Sequence, residues 1–482
     1  MGMFDLKGNT IEAVSKNTRV VFRDGKIISI ASAITGEEFI DTGLGEGVPP
    51  LQLRHVSGNI YDIGTGEICK MSYRQLAGNT MEIKISDWEA DASIKITVEE
   101  ETGDIIVEPS IYSMANGLSA LRFNVPGIRR DLKLIAPFQQ GACLTLDDPA
   151  AGGLFFEDEV ETGLYYEWPK RWEAGLAIFQ GRESGFSVQT WDNQFKAKAI
   201  KLRCKDKPFV VGFDTCAYGP FDRNQAVGGL AWRISAYQGD WKVPAGRYRD
   251  WLWKAYDLKA AKSRQPEWLD DIKLAVNWCP TSVKYIEELA KIIHPSKVVL
   301  HLPSWRIYPY DQGYPVYDKP SEMGKAFSER ARSMGYHVLP HCNTYMISPD
   351  HPMFFPWLNF CIKDPYTKRL DGWAILFNKL PRGRKNVGSP QAYSTILSNK
   401  QMNPLVNMHP GFTPWRSELV YRLSRAVEML KLDGIFIDVT FWFSNSDTGI
   451  VENMSVPEAA LRLTREVSEI KPLLAVGGEG RN

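Results

Sequence analysis

Two acidic residues of this sequence each end a short apolar run. Asp438 closes the run Gly434 to Asp438, and Glu479 closes the run Leu473 to Glu479. Both runs read as buried parallel strands, and the carboxyl ends of such strands meet at one edge of a sheet. Two carboxyl groups in one cleft can hydrolyse a glycosidic bond if one is ionised and the other is protonated. Asp438 suits the ionised role that faces the anomeric carbon, and Glu479, between two glycines, suits the acid.

Further polar and aromatic residues lie near the same predicted edge. Such side chains hydrogen-bond sugar hydroxyls or stack on sugar rings. We predict substrate contacts for Trp278, Trp305, Asp311, Tyr314, His341, Asn343, Tyr345, His409 and Trp442. A structural role is the alternative for each one taken singly, and for His409 that alternative is local packing in a loop. The grouping of Trp278, Trp305, His341, Asn343 and Tyr345 at the ends of successive strands favours binding, whereas a turn role is the alternative for Asp311 and Tyr314.

The histidine pattern argues against a metal centre. The seven histidines form neither an H-x-H nor an H-E-x-x-H motif, so we predict no metal ligands. His337 and His341 share one face of a predicted strand, but the sequence shows no third ligand. The sequence also has no phosphate-binding loop and no dinucleotide fingerprint. We therefore predict no cofactor.

Composition limits the class of partner. The 482 residues contain 57 Lys and Arg and 57 Asp and Glu, which gives no reason to expect nucleic acid or an anionic membrane. No segment offers eighteen uninterrupted apolar residues. The seven cysteines have no C-x-x-C spacing, which favours reduced thiols and a cytoplasmic protein as written, or a secreted or periplasmic one if a leader was removed. The charge balance permits a neutral substrate.

The first half of the chain has the pattern of an antiparallel β-sandwich, predicted over residues 1–244. The segment Thr18 to Ile30 reads as a hairpin, because Asp24-Gly25 tolerates the positive φ of a tight primed turn. Residues 94–98 alternate between apolar and polar and turn back into residues 105–107. Residues 245–271 are predicted to form a helix and a linker.

From residue 272 to residue 482 strand and helix patterns alternate, which predicts parallel strands in βα units. The predicted strands cover residues 272–278, 297–302, 337–343, 432–438 and 473–479, and the predicted helices cover 283–293, 321–334, 415–430 and 456–470. Residues 348–403 read as a long irregular insertion over the strand ends. Five strands fall short of the eight in a closed (β/α)8 barrel, so an incomplete barrel is predicted, with an open sheet as the alternative.

This layout resembles glycoside hydrolases that carry an N-terminal β-supersandwich of the galactose-mutarotase-like kind ahead of a (β/α)8 barrel. It looks most like the endo-α-N-acetylgalactosaminidase-type enzymes and a related bacterial family. The matching segments are Asp433 to Asp438 and Gly477 to Gly480, together with a similar opening at Asp24 to Ile27 and Thr35 to Ile40. The resemblance implies a nucleophilic Asp after the fourth strand and an acid/base Glu after the fifth, which match Asp438 and Glu479 in order.

These observations predict a retaining glycoside hydrolase that acts on α-linked glycans. A retaining site requires the two carboxyl groups to lie roughly 5 to 5.5 Å apart. One alternative is a carbohydrate-binding protein without catalysis, or an inactive barrel fragment. Another is a barrel enzyme of different chemistry, which a metal or phosphate at the strand ends would reveal.

Overall fold

The structure is a computed structural model that describes residues 3–41, 43, 45, 47–138, 141–146, 165–203, 209–366, 368–373, 405–440 and 445–478. Its contacts divide these residues into two compact units, one up to Tyr256 and one from Asp257. The domain boundaries predicted at residues 244 and 271 stay predictions. None of the described helices is both long enough and apolar enough to span a membrane.

The first unit is built mainly from short strands. They are β1 (Phe4–Lys7), β2 (Thr10–Val14), β3 (Thr18–Arg23), β4 (Lys26–Ser32), β5 (Leu51–His55), β6 (Ile60–Ile63), β7 (Lys70–Ala77), β8 (Thr80–Ser86), β9 (Ala90–Glu99), β10 (Asp104–Ser113), β11 (Leu118–Ile128), β12 (Lys133–Ala136), β13 (Ala142–Thr145), β14 (Tyr165–Glu167), β15 (Leu176–Gln180), β16 (Ser184–Gln189), β17 (Lys198–Arg203), β18 (Phe209–Cys216), β19 (Ala226–Val227) and β20 (Trp232–Gln238). A 3₁₀ turn at Phe221–Arg223 and helix α1 (Lys242–Ala255) complete the unit.

These strands form three antiparallel sheets. The sheets have the orders β1-β2-β3-β4, β13-β12-β15-β16-β20-β10-β9-β8-β7 with β19 beside β10, and β14-β17-β18-β11-β5-β6. The two larger sheets pack face to face, since the ring centroids of Phe213 on β18 and Trp232 on β20 lie 5.1 Å apart. Trp172 stacks on Trp232 at 6.2 Å within the same buried cluster. This packing is that of a β-sandwich.

The predicted hairpin is confirmed. Strands β3 and β4 pair antiparallel, and the turn residues Asp24 and Gly25 have φ of 49° and 71°. Positive φ at both central positions is the requirement of a type I′ turn, which Asp-Gly meets at low steric cost. The second predicted pair also forms, because β9 and β10 are hydrogen-bonded from Asp104 opposite Glu99 onwards.

The second unit alternates strands and helices. The strands are β21 (Leu274–Val276), β22 (Val298–Leu302), β23 (His337–Asn343), β24 (Met346–Ile347), β25 (Gly372–Trp373), β26 (Leu405–Asn407), β27 (Gly434–Asp438) and β28 (Ala475–Gly478). The helices are α2 (Leu258–Ser263), α3 (Val283–Leu289), α4 (Glu322–Ser333), α5 (Phe354–Trp357), α6 (Thr413–Leu430) and α7 (Val456–Ser468), with 3₁₀ turns at Glu267–Asp271, Pro295–Lys297 and Leu358–Phe360.

Five of these strands form one parallel sheet in the order β21-β22-β23-β27-β28. The predicted strands and helices therefore exist, within a few residues of their expected ends, and the chain is a β part followed by an α/β part. Serine caps set the starts of three helices: the side chains of Ser282, Ser321 and Ser455 each accept a backbone N–H three residues on. Closure into an eight-stranded barrel stays a prediction.

The predicted insertion is partly described. Strands β24, β26 and β25 form a small antiparallel sheet beside the parallel one. Together with α5 it has its own apolar cluster, which includes Ile347, Trp357 and Met408. Residues 374–404 lie outside the described residues.

Candidate active site

The carboxyl ends of β22, β23 and β27 bring polar residues to one edge of the parallel sheet. Asn343 and Asp438 are the last residues of β23 and β27, and their Cα atoms are register partners. His341 lies one step earlier on the same face of β23, because side chains on a strand alternate with a period of two. His301 lies near the end of β22, next to His341. The parallel register therefore places these four side chains in one cluster.

The carboxyl group of Asp438 lies against an amide of fixed orientation. Asp438 is only 8% exposed, and the Asn343 Nδ2 group approaches its Oδ2 at 3.5 Å. The Asn343 Oδ1 accepts the backbone N–H groups of Tyr345 and Met346, each at 3.0 Å. Because these two donors need an oxygen, the amide nitrogen must face Asp438.

Two histidines and an asparagine form a hydrogen-bonded chain that leads to Asp438. His301 Nδ1 lies 2.5 Å from Asn277 Oδ1, which also accepts the backbone N–H of Trp278 at 3.1 Å. We assign the proton of that contact to His301 Nδ1, since the Asn277 oxygen can only accept. His301 Nε2 is then an acceptor for the Nδ1–H of His341, at 3.1 Å.

This assignment leaves a lone pair on His341 Nε2. Burial, followed by the nearby His301 and Arg306, lowers the pKa of His341 to about 3, so the ring is neutral near pH 7. Its Nε2 lies 3.6 Å from Asp438 Oδ2, and within the described part of the chain no group is placed to hydrogen-bond it. A buried acceptor is thus aimed at a carboxyl group.

Asp311 supplies a second carboxyl group from the loop after β22. Its Oδ1 accepts a hydrogen bond from the Tyr314 hydroxyl at 3.1 Å. Its backbone is left-handed, with φ of 56°, which is uncommon outside glycine. One ligand atom from each of Asp311, His341 and Asp438 lies within 4.8 Å of the other two. Three acceptors therefore converge on one small volume.

Two aromatic rings border this volume. Trp278 follows β21 and is 52% exposed, and its ring centroid lies 4.8 Å from that of Tyr310. The Tyr310 centroid lies 4.9 Å from the His341 ring, and the Trp278 centroid lies 6.3 Å from it. Aromatic faces beside hydrogen-bonding groups are typical of sites that bind apolar faces and hydroxyls together.

Three of the residues predicted to contact substrate are buried. Trp305 and Tyr314 are 0% exposed, and the Trp305 Nε1–H donates to the His341 carbonyl at 2.9 Å. Tyr345 is also buried, and burial followed by the neighbouring Asp438 raises its pKa well above the usual value. These side chains support His341, Asp311 and Asp438 from behind.

His409, also predicted to contact substrate, is buried in a loop. It is 0% exposed, its Nδ1 accepts the Gly411 N–H at 2.9 Å, and its Nε2 donates to the Gly449 carbonyl at 3.0 Å. Burial lowers its pKa to about 4, despite the opposing hydrogen bond to Gly449. These contacts are those of a histidine that packs locally and fixes loop backbone.

The predicted acid Glu479 and the predicted subsite residue Trp442 lie outside the described residues. The separation of the two carboxyl groups therefore stays a prediction. The described candidates that the structure brings together are Trp278, Asp311, His341, Asn343 and Asp438, with Trp305, Tyr314 and Tyr345 behind them.

Sequence reasoning missed Asn277, His301 and Tyr310 as members of the cluster. One signal was present: a single histidine interrupts the apolar strand Val298–Leu302, as His341 interrupts the next predicted strand. Two histidines near the ends of successive parallel strands indicate contact between them. The part played by Tyr310 depends on the path of a loop, which no periodicity predicts.

Comparison with known proteins gives a family model and several similar folds. Residues 230–448 match the model described as Domain of unknown function (DUF6259). No protein with curated function matches the sequence.

Among solved structures, the α-N-acetylgalactosaminidase NagBb from Bifidobacterium bifidum is similar in fold. Its complex with GalNAc has a TM-score of 0.62 at 12% identity, covering 96% of this chain and 74% of that chain. The ligand-free form gives a TM-score of 0.64 at 12% identity, with coverages of 98% and 77%. The chain has a glycoside hydrolase-like fold. The GH36 α-galactosidase AgaB from Geobacillus stearothermophilus also matches, with a TM-score of 0.45, 11% identity and coverages of 98% and 72%.

Proposed function

We propose that this protein is a retaining glycoside hydrolase that cleaves α-linked sugars, with Asp438 as nucleophile and Glu479 as acid/base. The observation that carries the proposal is the buried Asp438 at the end of a parallel strand, beside the neutral His341, whose ring lies next to those of Tyr310 and Trp278. The glycoside hydrolase-like fold supports the same reaction class. An α-N-acetylgalactosaminide is the first substrate to test, because NagBb is named for that activity.

Each residue of the cluster has a part in this mechanism. Asp438 attacks the anomeric carbon as an ionised carboxylate, and the Asn343 amide holds it in position through an N–H directed at Oδ2. The His341 Nε2 lone pair accepts a sugar hydroxyl, as does the carboxylate of Asp311. Trp278 and Tyr310 pack on the apolar face of the sugar ring. Glu479 donates a proton to the leaving oxygen and then activates water.

The same proposal extends to the fold. We infer that the sheet β21-β22-β23-β27-β28 is the first part of a (β/α)8 barrel, preceded by the β-sandwich of residues 1–244 and the linker 245–271. The sequential order and uniform parallel direction of the five strands support this inference.

The test is hydrolysis of para-nitrophenyl α-N-acetylgalactosaminide, with the α-galactoside as second substrate. Asp438→Asn is expected to lower kcat by at least about 1,000-fold, since a nucleophile that is removed leaves only binding and acid assistance. Asp433→Asn is the matched control, because Asp433 precedes the same strand at its opposite end and is partly exposed, beside Lys471. This control should keep wild-type activity.

Proton NMR of the first product formed decides the stereochemistry. A retaining enzyme releases the α anomer first, and release of the β anomer would contradict the assignment of Asp438 as nucleophile. Full activity of Asp438→Asn would contradict it as well. Sugar binding without hydrolysis, unchanged in Asp438→Asn, would instead support the non-catalytic alternative.

A further inference from the structure

The cluster at the strand ends also has the composition of a metal site. Asp311, His341 and Asp438 each place one ligand atom within 4.8 Å of the others. Carboxylates alone would be weak grounds, but His341 is 98% buried and its Nε2 has no hydrogen-bond partner among the described residues. A buried lone pair without a donor carries a desolvation cost. An electropositive ligand in this volume would remove that cost.

The surroundings of His341 match those of a metal-bound histidine. Such histidines donate their other ring N–H to an acceptor, which fixes the tautomer and the ring orientation. Here His341 Nδ1 is 3.1 Å from His301 Nε2, and His301 Nδ1 is 2.5 Å from Asn277 Oδ1. The hydrogen bonds from His341 to His301 and from His301 to Asn277 leave His341 Nε2 unprotonated, so this nitrogen can bind a cation. Trp305 Nε1–H holds the backbone carbonyl of His341 at 2.9 Å.

The distance between His341 Nε2 and Asp438 Oδ2 fits tetrahedral coordination. With Zn–N and Zn–O bonds of about 2.1 Å, two ligand atoms at a tetrahedral angle lie about 3.4 Å apart, and at a right angle about 3.0 Å apart. His341 Nε2 and Asp438 Oδ2 lie 3.6 Å apart, near the tetrahedral value. Asp311 supplies the third ligand atom from the loop after β22, within 4.8 Å of the other two.

The donor types select among cations. Imidazole nitrogen with carboxylate oxygen suits Zn²⁺ and the transition metals, whereas Ca²⁺ and Mg²⁺ prefer sets made of oxygen alone. We propose that Asp311, His341 and Asp438 form a binding site for one divalent cation of the Zn²⁺ type. The cation would occupy the volume that the proposed mechanism reserves for the sugar. It follows, if the proposed function holds, that Zn²⁺ competes with substrate.

The experiment uses the full chain, freed of metal with a chelator, and titrates it with Zn²⁺ alone in a calorimeter. Co²⁺ is the second probe, since its visible absorption reports the geometry of its ligands. We expect saturation at this site by one Zn²⁺ per chain and an intense, tetrahedral-type Co²⁺ spectrum. Asp311→Asn should weaken binding by at least about 10-fold, the lower end of what even an outer-shell partner costs.

Asp311→Asn is the ligand variant expected to disturb folding least, because Asn tolerates the left-handed backbone that Asp311 adopts at φ of 56°. His341→Gln is the second ligand variant, and it should abolish the Co²⁺ spectrum. His337→Gln is the control, since His337 lies on the same strand but stacks on Trp268 with centroids 3.8 Å apart. Circular dichroism of each variant shows whether it is folded.

Two results would overturn the metal site: no saturable Zn²⁺ binding by the wild-type chain, or binding equally strong in Asp311→Asn, His341→Gln and wild type. Competition is measured separately, as a rise in apparent KM for the nitrophenyl substrate with kcat unchanged. A rise in kcat on adding Zn²⁺ would overturn the competition. The titration needs no hydrolysis, so failure of the proposed activity and failure of the metal site are distinguishable.

Discussion

Replacing Asn343 by Asp is expected to destabilise the second unit in a manner that depends on pH. The aspartate keeps an oxygen for the N–H groups of Tyr345 and Met346, so the turn they form is retained. It also replaces the amide N–H that faces Asp438 Oδ2 at 3.5 Å by a second carboxyl oxygen. Two carboxylates at that distance repel each other, and one of them binds a proton.

The magnitude follows from the distance. At an effective dielectric of about 20, two unit charges separated by 3.5 Å repel by about 5 kcal/mol. That repulsion raises the pKa of the pair in the folded state by roughly 3.5 units above the unfolded value near 4. The cost is therefore absent below about pH 4, grows to about 1.5 kcal/mol at pH 5, and approaches about 5 kcal/mol at pH 8.

The assay is urea unfolding of wild type and variant at pH 5 and pH 8, followed by hydrogen-exchange mass spectrometry of peptides from β23 and β27. Peptide resolution is needed because a signal from the whole chain mixes two units. Asn343→Ala is the control: it leaves two backbone N–H groups unpaired and should cost about 2 to 4 kcal/mol at both pH values. Equal costs for the aspartate variant at both pH values would refute the reasoning.

Two predictions concern packing and charge elsewhere. Gly324→Ala should lower the free energy of unfolding by about 2 kcal/mol, because the added Cβ would lie 2.3 Å from the Trp305 carbonyl oxygen. This steric cost outweighs the higher helix propensity of alanine. A higher melting temperature of the variant, measured by circular dichroism, would contradict the prediction. Asp214→Asn should cost the first unit about 3 to 5 kcal/mol near pH 7, since it leaves Arg122 and Arg54 buried without their carboxylate. Burial raises the pKa of Asp214, but the two arginines outweigh it and lower the pKa below the usual value. The stabilisation that ionised Asp214 gives the folded state is thus present above about pH 4 and is lost as pH falls through its lowered pKa. The free energy of unfolding, measured with urea between pH 2 and pH 7, should therefore depend less on pH in Asp214→Asn than in wild type.

Much of the fold was predictable because local rules and tertiary packing agree in it. The turn Asp24-Gly25 demands positive φ and has it, and the apolar alternation of β9 and β10 matches their burial. In the second unit the period of the apolar residues gave strands and helices to within a few residues. The small sheet of β24, β25 and β26 was not predicted, since strands of two or three residues carry no readable period.

Strand order accounts for the candidate-site residues that lie at the ends of strands. His341, Asn343 and Asp438 came from strand order, because the parallel register forces them to one edge. The exposure of a side chain beyond the strand could not be predicted: Trp278, two residues after β21, is half exposed, whereas Trp305, three residues after β22, is fully buried. Trp305 stacks on Tyr317 of its own loop, with ring centroids 6.1 Å apart.

The backbone around the site shows what holds it in shape. Trp278, Asp311 and Val439 have φ of 55°, 56° and 59°, and each lies in a loop that leaves a strand of the parallel sheet. A left-handed backbone costs about 1 to 3 kcal/mol at a residue that is not glycine, and valine, being β-branched, is among the least suited to it. Such strain persists only where surrounding contacts over-determine the backbone.

Val439 directly follows Asp438, so its conformation sets the direction in which the chain leaves the carboxyl group. Trp278 and Asp311 are oriented in the same way, by Asn277 Oδ1 and by the Tyr314 hydroxyl. Strain at three loops around one cluster, with none of the three residues a glycine, indicates that the positions of these side chains are maintained at a cost in stability, as expected of a binding or catalytic site.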